Sequence, residues 1–176
     1  MKKLLALALS LTLAVTALAG CAGGASSSGG DAPAKTPEEL AQLYSTAITE
    51  NGGEMVEYNP VMTEVKEDDG SAMLLEAMGL TAEDMQAFGI SASMMNIKAY
   101  AIAAVMPAEG KADAVKTALQ GYIDQTKSSF EKYLADQYEI ANNAKLETLE
   151  DGTILMVMCE DQDTVFDAIV AAVKAG

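Results

Sequence analysis

Residues Ile154-Leu155-Met156-Val157-Met158 are apolar without interruption. Successive side chains of a strand point to opposite faces, so a strand of this composition has to be covered and lie inside a sheet. Lys145–Leu149, the Glu150-Asp151-Gly152 sequence and Thr153–Cys159 together read as a β-hairpin with a tight Asp-Gly turn, in which the apolar run is the second arm.

The rest of the chain supplies what must pack around that strand. Thr36-Pro37-Glu38-Glu39 has the spacing of an N-cap, a proline in the first helical position and a capping-box glutamate. Leu40, Leu43, Tyr44, Ala47 and Ile48 follow at helical spacing, and Asn51-Gly52-Gly53 ends the helix. Between Glu54 and Ser93 short apolar groups are interrupted by Pro60 and by Glu67-Asp68-Asp69-Gly70; helical segments are expected near Ser71–Met78 and near Ala82–Phe88, the second capped by Thr81 with Asp84 three residues on. Met95–Met106, closed by Pro107, reads as a strand. From Lys111, the residues Val115, Leu119, Tyr122, Thr126, Phe130 and Tyr133 mark one face of a helix of about six turns. That helix is expected to bend or restart near Ala135-Asp136 and to end at Asn142-Asn143. Asp161 or Asp163 is placed to cap a last helix carrying Val165, Ile169, Val170 and Val173. The order predicts an α+β fold over residues 36–176, a small antiparallel sheet with helices packed on one face.

The first twenty residues stand outside this fold. Met1-Lys2-Lys3 runs into an apolar stretch from Leu4 to Ala19, a basic start and apolar middle followed by small residues, which is the pattern of a secretory signal. The stretch falls short of the roughly 20 apolar residues that span a bilayer, and no stop-transfer charges follow it. Leu18-Ala19-Gly20-Cys21 resembles the lipobox of bacterial lipoproteins. That resemblance implies cleavage before Cys21, a diacylglyceryl group on its sulfur, and retention on the extracytoplasmic face of the cell membrane, since two or more acyl chains hold a protein stably where one does not. Residues 22–35, rich in Gly, Ser and Ala, are expected to act as a tether between lipid and domain.

Charge narrows the partners. Loss of residues 1–20 removes Lys2 and Lys3 and no acid, so 26 Asp and Glu face nine lysines, a formal side-chain charge of −17. Such a surface repels phosphates, which excludes nucleic acid as an expected partner, and any membrane contact beyond the anchor has to be made by a local patch. With Cys21 committed to lipid, Cys159 has no intrachain partner, and the fold rests on an ordinary apolar core.

The second half carries a family resemblance. Its order is strand, Lys- and Ala-containing helix, Tyr133-Leu134-Ala135-Asp136-Gln137-Tyr138, Asn142-Asn143-Ala144, the Asp151-Gly152 hairpin and the Glu160-Asp161 turn. Over roughly Met73–Asp163 this resembles the bacterial lipoprotein family known as domain of unknown function 4358, with Ala135 where that family is expected to favour proline. The resemblance implies the anchor and the fold; it implies no catalytic residue.

Nor do the residues themselves point to catalysis. There is no histidine, which removes Ser-His-Asp and Cys-His arrangements and the commonest zinc ligand. The acidic clusters Glu67-Asp68-Asp69 and Glu160-Asp161-Gln162-Asp163 could ligate calcium, but Val165 stands where an EF-hand loop needs its next oxygen, and solvated turns and a helix cap explain them better. Met156 and Met158, on one side of a strand, would suit copper(I), yet methionine in an aromatic-poor chain is ordinary core filler. Cys159 ends an apolar strand with no cation beside it and reads as a buried thiol. Tyr122, Tyr133 and Tyr138 could stack on a sugar, but helix packing accounts for their spacing equally well. No catalytic residue, metal or cofactor is therefore assigned. The function expected is a non-catalytic binding or accessory module with a protein or cell-wall partner; a deep pocket lined by tyrosines and acids would favour a small-ligand or ion-binding lipoprotein instead.

Overall fold

The computed structural model describes residues 35–66 and 69–176, with the side chain of Asp69 also outside the description. The expected signal peptide, Cys21 and all but the last residue of the tether lie outside the described residues, as do Glu67 and Asp68.

Four strands form one antiparallel sheet: β1 (Met85–Ala92), β2 (Ala101–Pro107), β3 (Lys145–Thr148) and β4 (Ile154–Met158), in the order β1-β2-β4-β3. The expected hairpin is β3–β4, with Gly152 at φ +92° in its loop, and the apolar β4 is interior, paired to β3 through Leu146↔Met156 and to β2 through Ala103↔Met156. Among the described residues six helices accompany the sheet: α1 (Pro37–Asn51), α2 (Met55–Tyr58), α3 (Asp69–Met78), α4 (Ala112–Phe130), α5 (Ala135–Asn142) and α6 (Gln162–Ala175). The fold class is α+β.

Helices cover both faces of the sheet, not one. Ala101, Ala103, Val105, Ile154, Met156 and Met158 face a core built with Leu75 and Met78 of α3, Leu119 and Ile123 of α4 and Ala141 of α5. Ile102, Ala104, Leu155 and Val157 face a second core made with Tyr44 and Ile48 of α1 and Phe166 and Ile169 of α6. Interior strands apolar on both sides would leave one face in water if helices lay only on the other. Ala104 of β2 and Gly89 of β1 let α1 approach closely: a Cβ on Gly89 would stand 2.7 Å from the Tyr44 Cβ.

Two further expectations are corrected. Thr81 and Asp84 do form the expected cap, with Thr81 N and Oγ1 donating to Asp84 Oδ2 at 3.0 and 2.7 Å, but it holds only a single 3₁₀ turn, Ala82–Asp84. The helix expected to Phe88 is strand β1, because pairing with β2 from Met85↔Pro107 to Ala92↔Ala101 satisfies its backbone and buries seven of its eight residues. The strand expected from Met95 begins only at Ala101; residues 93–100 form the connection between β1 and β2. Of the face expected for α4, Val115, Leu119 and Phe130 are buried, Ile123 takes the buried place between them while Tyr122 and Thr126 are half-buried, and the helix ends before Tyr133. The chain turns at 131–134 and restarts as α5 at Ala135, so the break forms without proline.

Candidate functional site

Register places the site. Ala92, Ala101 and Met158 stand side by side at one end of the sheet, so the residues just beyond them, Tyr100 and Cys159, come together there. The C-terminal end of α1 reaches the same end, whereas its first turn lies beside Met85 and Gln86 at the opposite end. Gly52, Gly53 and α2 from the α1 side, Gln137 and Ile140 from α5, and Glu160, Asp161 and Val165 from the β4–α6 junction complete an open cleft of about 530 Å³.

Its floor is buried and largely satisfied. Ser91 Oγ donates to Asn59 O at 2.6 Å, which leaves Tyr100 to donate its phenolic proton to Ser91 Oγ at 2.9 Å. Gln137 Oε1 accepts from Ala99 N at 2.9 Å, while its Nε2 donates to Asp136 at 2.9 Å. The Cys159 thiol is the exception: it is 5 % exposed and has no hydrogen-bond partner among the described residues. Burial, reinforced by the carboxylates of Asp161 and Glu160, pushes that thiol up to about 12. It is a poor nucleophile at neutral pH.

The rim is acidic and aromatic. Tyr58 is 77 % exposed, so its ring faces are free, and Glu54, Glu160 and Asp161 make no ion pair among the described residues. Asp161 adopts φ +55°, the left-handed region, and supplies no side-chain bond to α6. The expected aspartate cap of α6 is thus absent from Asp161, and Asp163 instead takes Lys145 Nζ at 2.7 Å. Among the described residues Lys98 is the single cation of the lining. It acts on Asp136, whose carboxyl is held low first by the Gln137 hydrogen bond and, more weakly, by that lysine.

Next to the cleft the β1–β2 connection forms an apolar tip. Met94, Met95 and Ile97 are 56–57 % exposed, and Tyr133 beside them is 60 % exposed with its hydroxyl donating to Asn96 O at 3.4 Å. A cluster of large apolar side chains this exposed is unusual on a folded surface.

The other residues weighed for chemistry lie elsewhere. Met156 and Met158 are fully buried in the core shared with α4. Tyr122 and Tyr138 pack partly buried against that same core. Glu160 and Asp161 reach the cleft, and among the described residues no group of three or more Cys, Asp or Glu is arranged to hold a metal ion. Tyr58 and Tyr100 carry no periodic signal in the sequence; the register that pairs Ala101 with Met158 is what joins Tyr100 to Cys159.

The profile of the family described as Domain of unknown function (DUF4358) matches residues 59–159. The chain belongs to that family. The DUF4358 region spans the sheet, α3 to α5 and the cleft floor through Cys159, while α1, Glu54, Tyr58, Asp161 and α6 are contributed from outside it. No curated protein and no solved structure matches the chain.

Proposed function

We propose that this DUF4358 protein is an exported lipoprotein, held by lipid on Cys21 at the extracytoplasmic face of the cell membrane, and that its folded domain is a non-catalytic module for binding a partner. The observation that carries the binding reading is that cleft and apolar tip adjoin at one end of the sheet. Residue Thr36, where the tether joins, belongs to the other end, about 22 Å away along the fifteen residues of α1. A module tethered at one end presents the other. The N-terminal sequence supports the anchor, and among the described residues no helix is long and apolar enough to cross a membrane.

The test is site-specific photocrosslinking in living cells. A crosslinker at Ile97 or Tyr58 is expected to form a discrete adduct, and one at Glu38 or Gln86 is not. Adducts from the Glu38 end alone, or equally from both ends, contradict the reading. A second reading, a small-ligand lipoprotein, is favoured by the volume, which lies within the range of ligand pockets, and by the tyrosines and acids that line it; the openness of the cleft favours a partner segment.

A further inference from the structure

We propose that the partner engages this end of the domain through a basic segment, seating a lysine or arginine side chain in the cleft between Glu160, Asp161 and Tyr58 while a neighbouring apolar side chain covers Met95 and Ile97. The inference rests on the binding reading above and adds the chemistry of the occupant.

Three observations carry it. The cleft's lining holds the carboxylates of Glu54, Glu160 and Asp161 without a basic partner among the described residues, three acids against the single lysine of that lining, Lys98. The surface as a whole is strongly acidic, so a basic segment is drawn toward it and an acidic one repelled. Tyr58 offers an exposed ring within the same lining, where a cation can lie over its face while the carboxylates take its N–H groups.

The interior of the cleft agrees with this chemistry. Glu160 and Asp161 line the same cleft as the Cys159 thiol, whose ionisation burial opposes first and their carboxylates second. That thiol is buried and carries no positive charge to compete with a cation. The methionines of the tip suit an apolar neighbour of variable shape, since an unbranched thioether side chain adapts to what it meets.

The test uses the full chain carrying Cys21→Ser and three fluorescent eight-residue peptides: alternating lysine and leucine, the same with acetyl-lysine, and the same with glutamate. Binding by anisotropy is expected for the lysine peptide, with at least tenfold loss for the acetyl-lysine peptide and none detectable for the glutamate peptide. Glu160→Gln with Asp161→Asn is expected to weaken the lysine peptide about tenfold; asparagine accepts the left-handed backbone of residue 161. Glu76→Gln with Glu83→Gln, which removes the same charge elsewhere on the surface, is expected to change it less than twofold. Equal losses in both double variants mean general attraction to an acidic protein and overturn the proposal. Equal binding of the lysine and acetyl-lysine peptides, abolished by Ile97→Ser and Tyr58→Ala, overturns the cationic occupant and leaves the binding reading standing. Binding of every peptide unaffected by any of these variants overturns both.

Discussion

The phenolic oxygen of Tyr44 lies 2.7 Å from Thr153 Oγ1, a buried hydrogen bond between residues 109 positions apart. Thr153 Oγ1 already donates to Asp151 Oδ2 at 2.9 Å, so Tyr44 is the donor, and the bond ties α1 to the β3–β4 hairpin through a residue that also orders the turn. Tyr44→Phe keeps the packing and removes this donor, and should lower stability by about 1 kcal/mol in urea unfolding. An unchanged midpoint would mean that the bond contributes nothing net.

The hairpin loop makes a sharper demand on its backbone. Gly152 sits at φ +92°, and a Cβ there would meet nothing closer than Met106 Sδ at 3.9 Å, so the space is open and the backbone alone is restrictive. Gly152→Val should destabilise by about 1 kcal/mol or more, with Gly152→Ala costing less, because a β-branched side chain resists positive φ most strongly. Equal stability of all three in thermal melts would contradict this account.

Gly89 presents the converse case, ordinary backbone and no space. Gly89→Ala would press on Tyr44 Cβ at 2.7 Å and on its backbone at 3.2 Å, lifting α1 from β1. Destabilisation of about 1–3 kcal/mol is expected, within the range for overpacked cores, together with added exchange of α1 amides. Protection lost evenly over the whole domain, with no excess in α1, would contradict that local account.

Rising alkaline pH should destabilise the domain in two stages. Burial pushes Cys159 from 9.0 to about 12 and both Tyr44 and Tyr100 from 10.0 to about 12. Raised folded values mean that stability is complete below the unfolded values. It then declines above pH 9.0 as the unfolded thiol ionises, and more steeply above 10.0 as the phenols join it, until the folded groups titrate near 12. Cys159→Ala should move the onset from about pH 9 to about pH 10 in a melting series. A wild-type melting temperature flat from pH 9 to 11 would show that these groups are more solvated than their burial implies.

Membrane fractionation checks the anchor. Cys21→Ser should release the chain to the soluble fraction and abolish incorporation of labelled fatty acid, since the Gly- and Ser-rich residues that follow offer no second anchor. Retention of that variant in the membrane would end the lipid reading.

Where two signals agreed, the fold was legible. Thr36, Pro37 and Glu39 announced α1 by capping chemistry and by apolar spacing, and Asp151-Gly152 before a five-residue apolar run announced the hairpin. β1 was hidden because Met85-Gln86-Ala87-Phe88-Gly89-Ile90-Ser91-Ala92 is poor in β-branched residues and follows a genuine helix-cap pair; only its partner strand fixes it as extended. The cleft was legible only in fragments. Cys159 and Glu160-Asp161 stood out singly, while Tyr58, Lys98 and Tyr100 reach the same place through pairings between segments far apart in sequence.

The notch at Gly89 also bears on how the domain would carry load. Tension arriving through the residues before Thr36 enters by α1, whose first turn is locked by the reciprocal Thr36–Glu39 bonds at 2.8 and 3.2 Å. A pull along the helix axis would have to drag Tyr44 out of the depression left by the missing Gly89 side chain while breaking its bond to Thr153. Tyr44 thus acts as a detent, so that force is met in shear across the α1–β1 contact before it reaches the strands that frame the cleft.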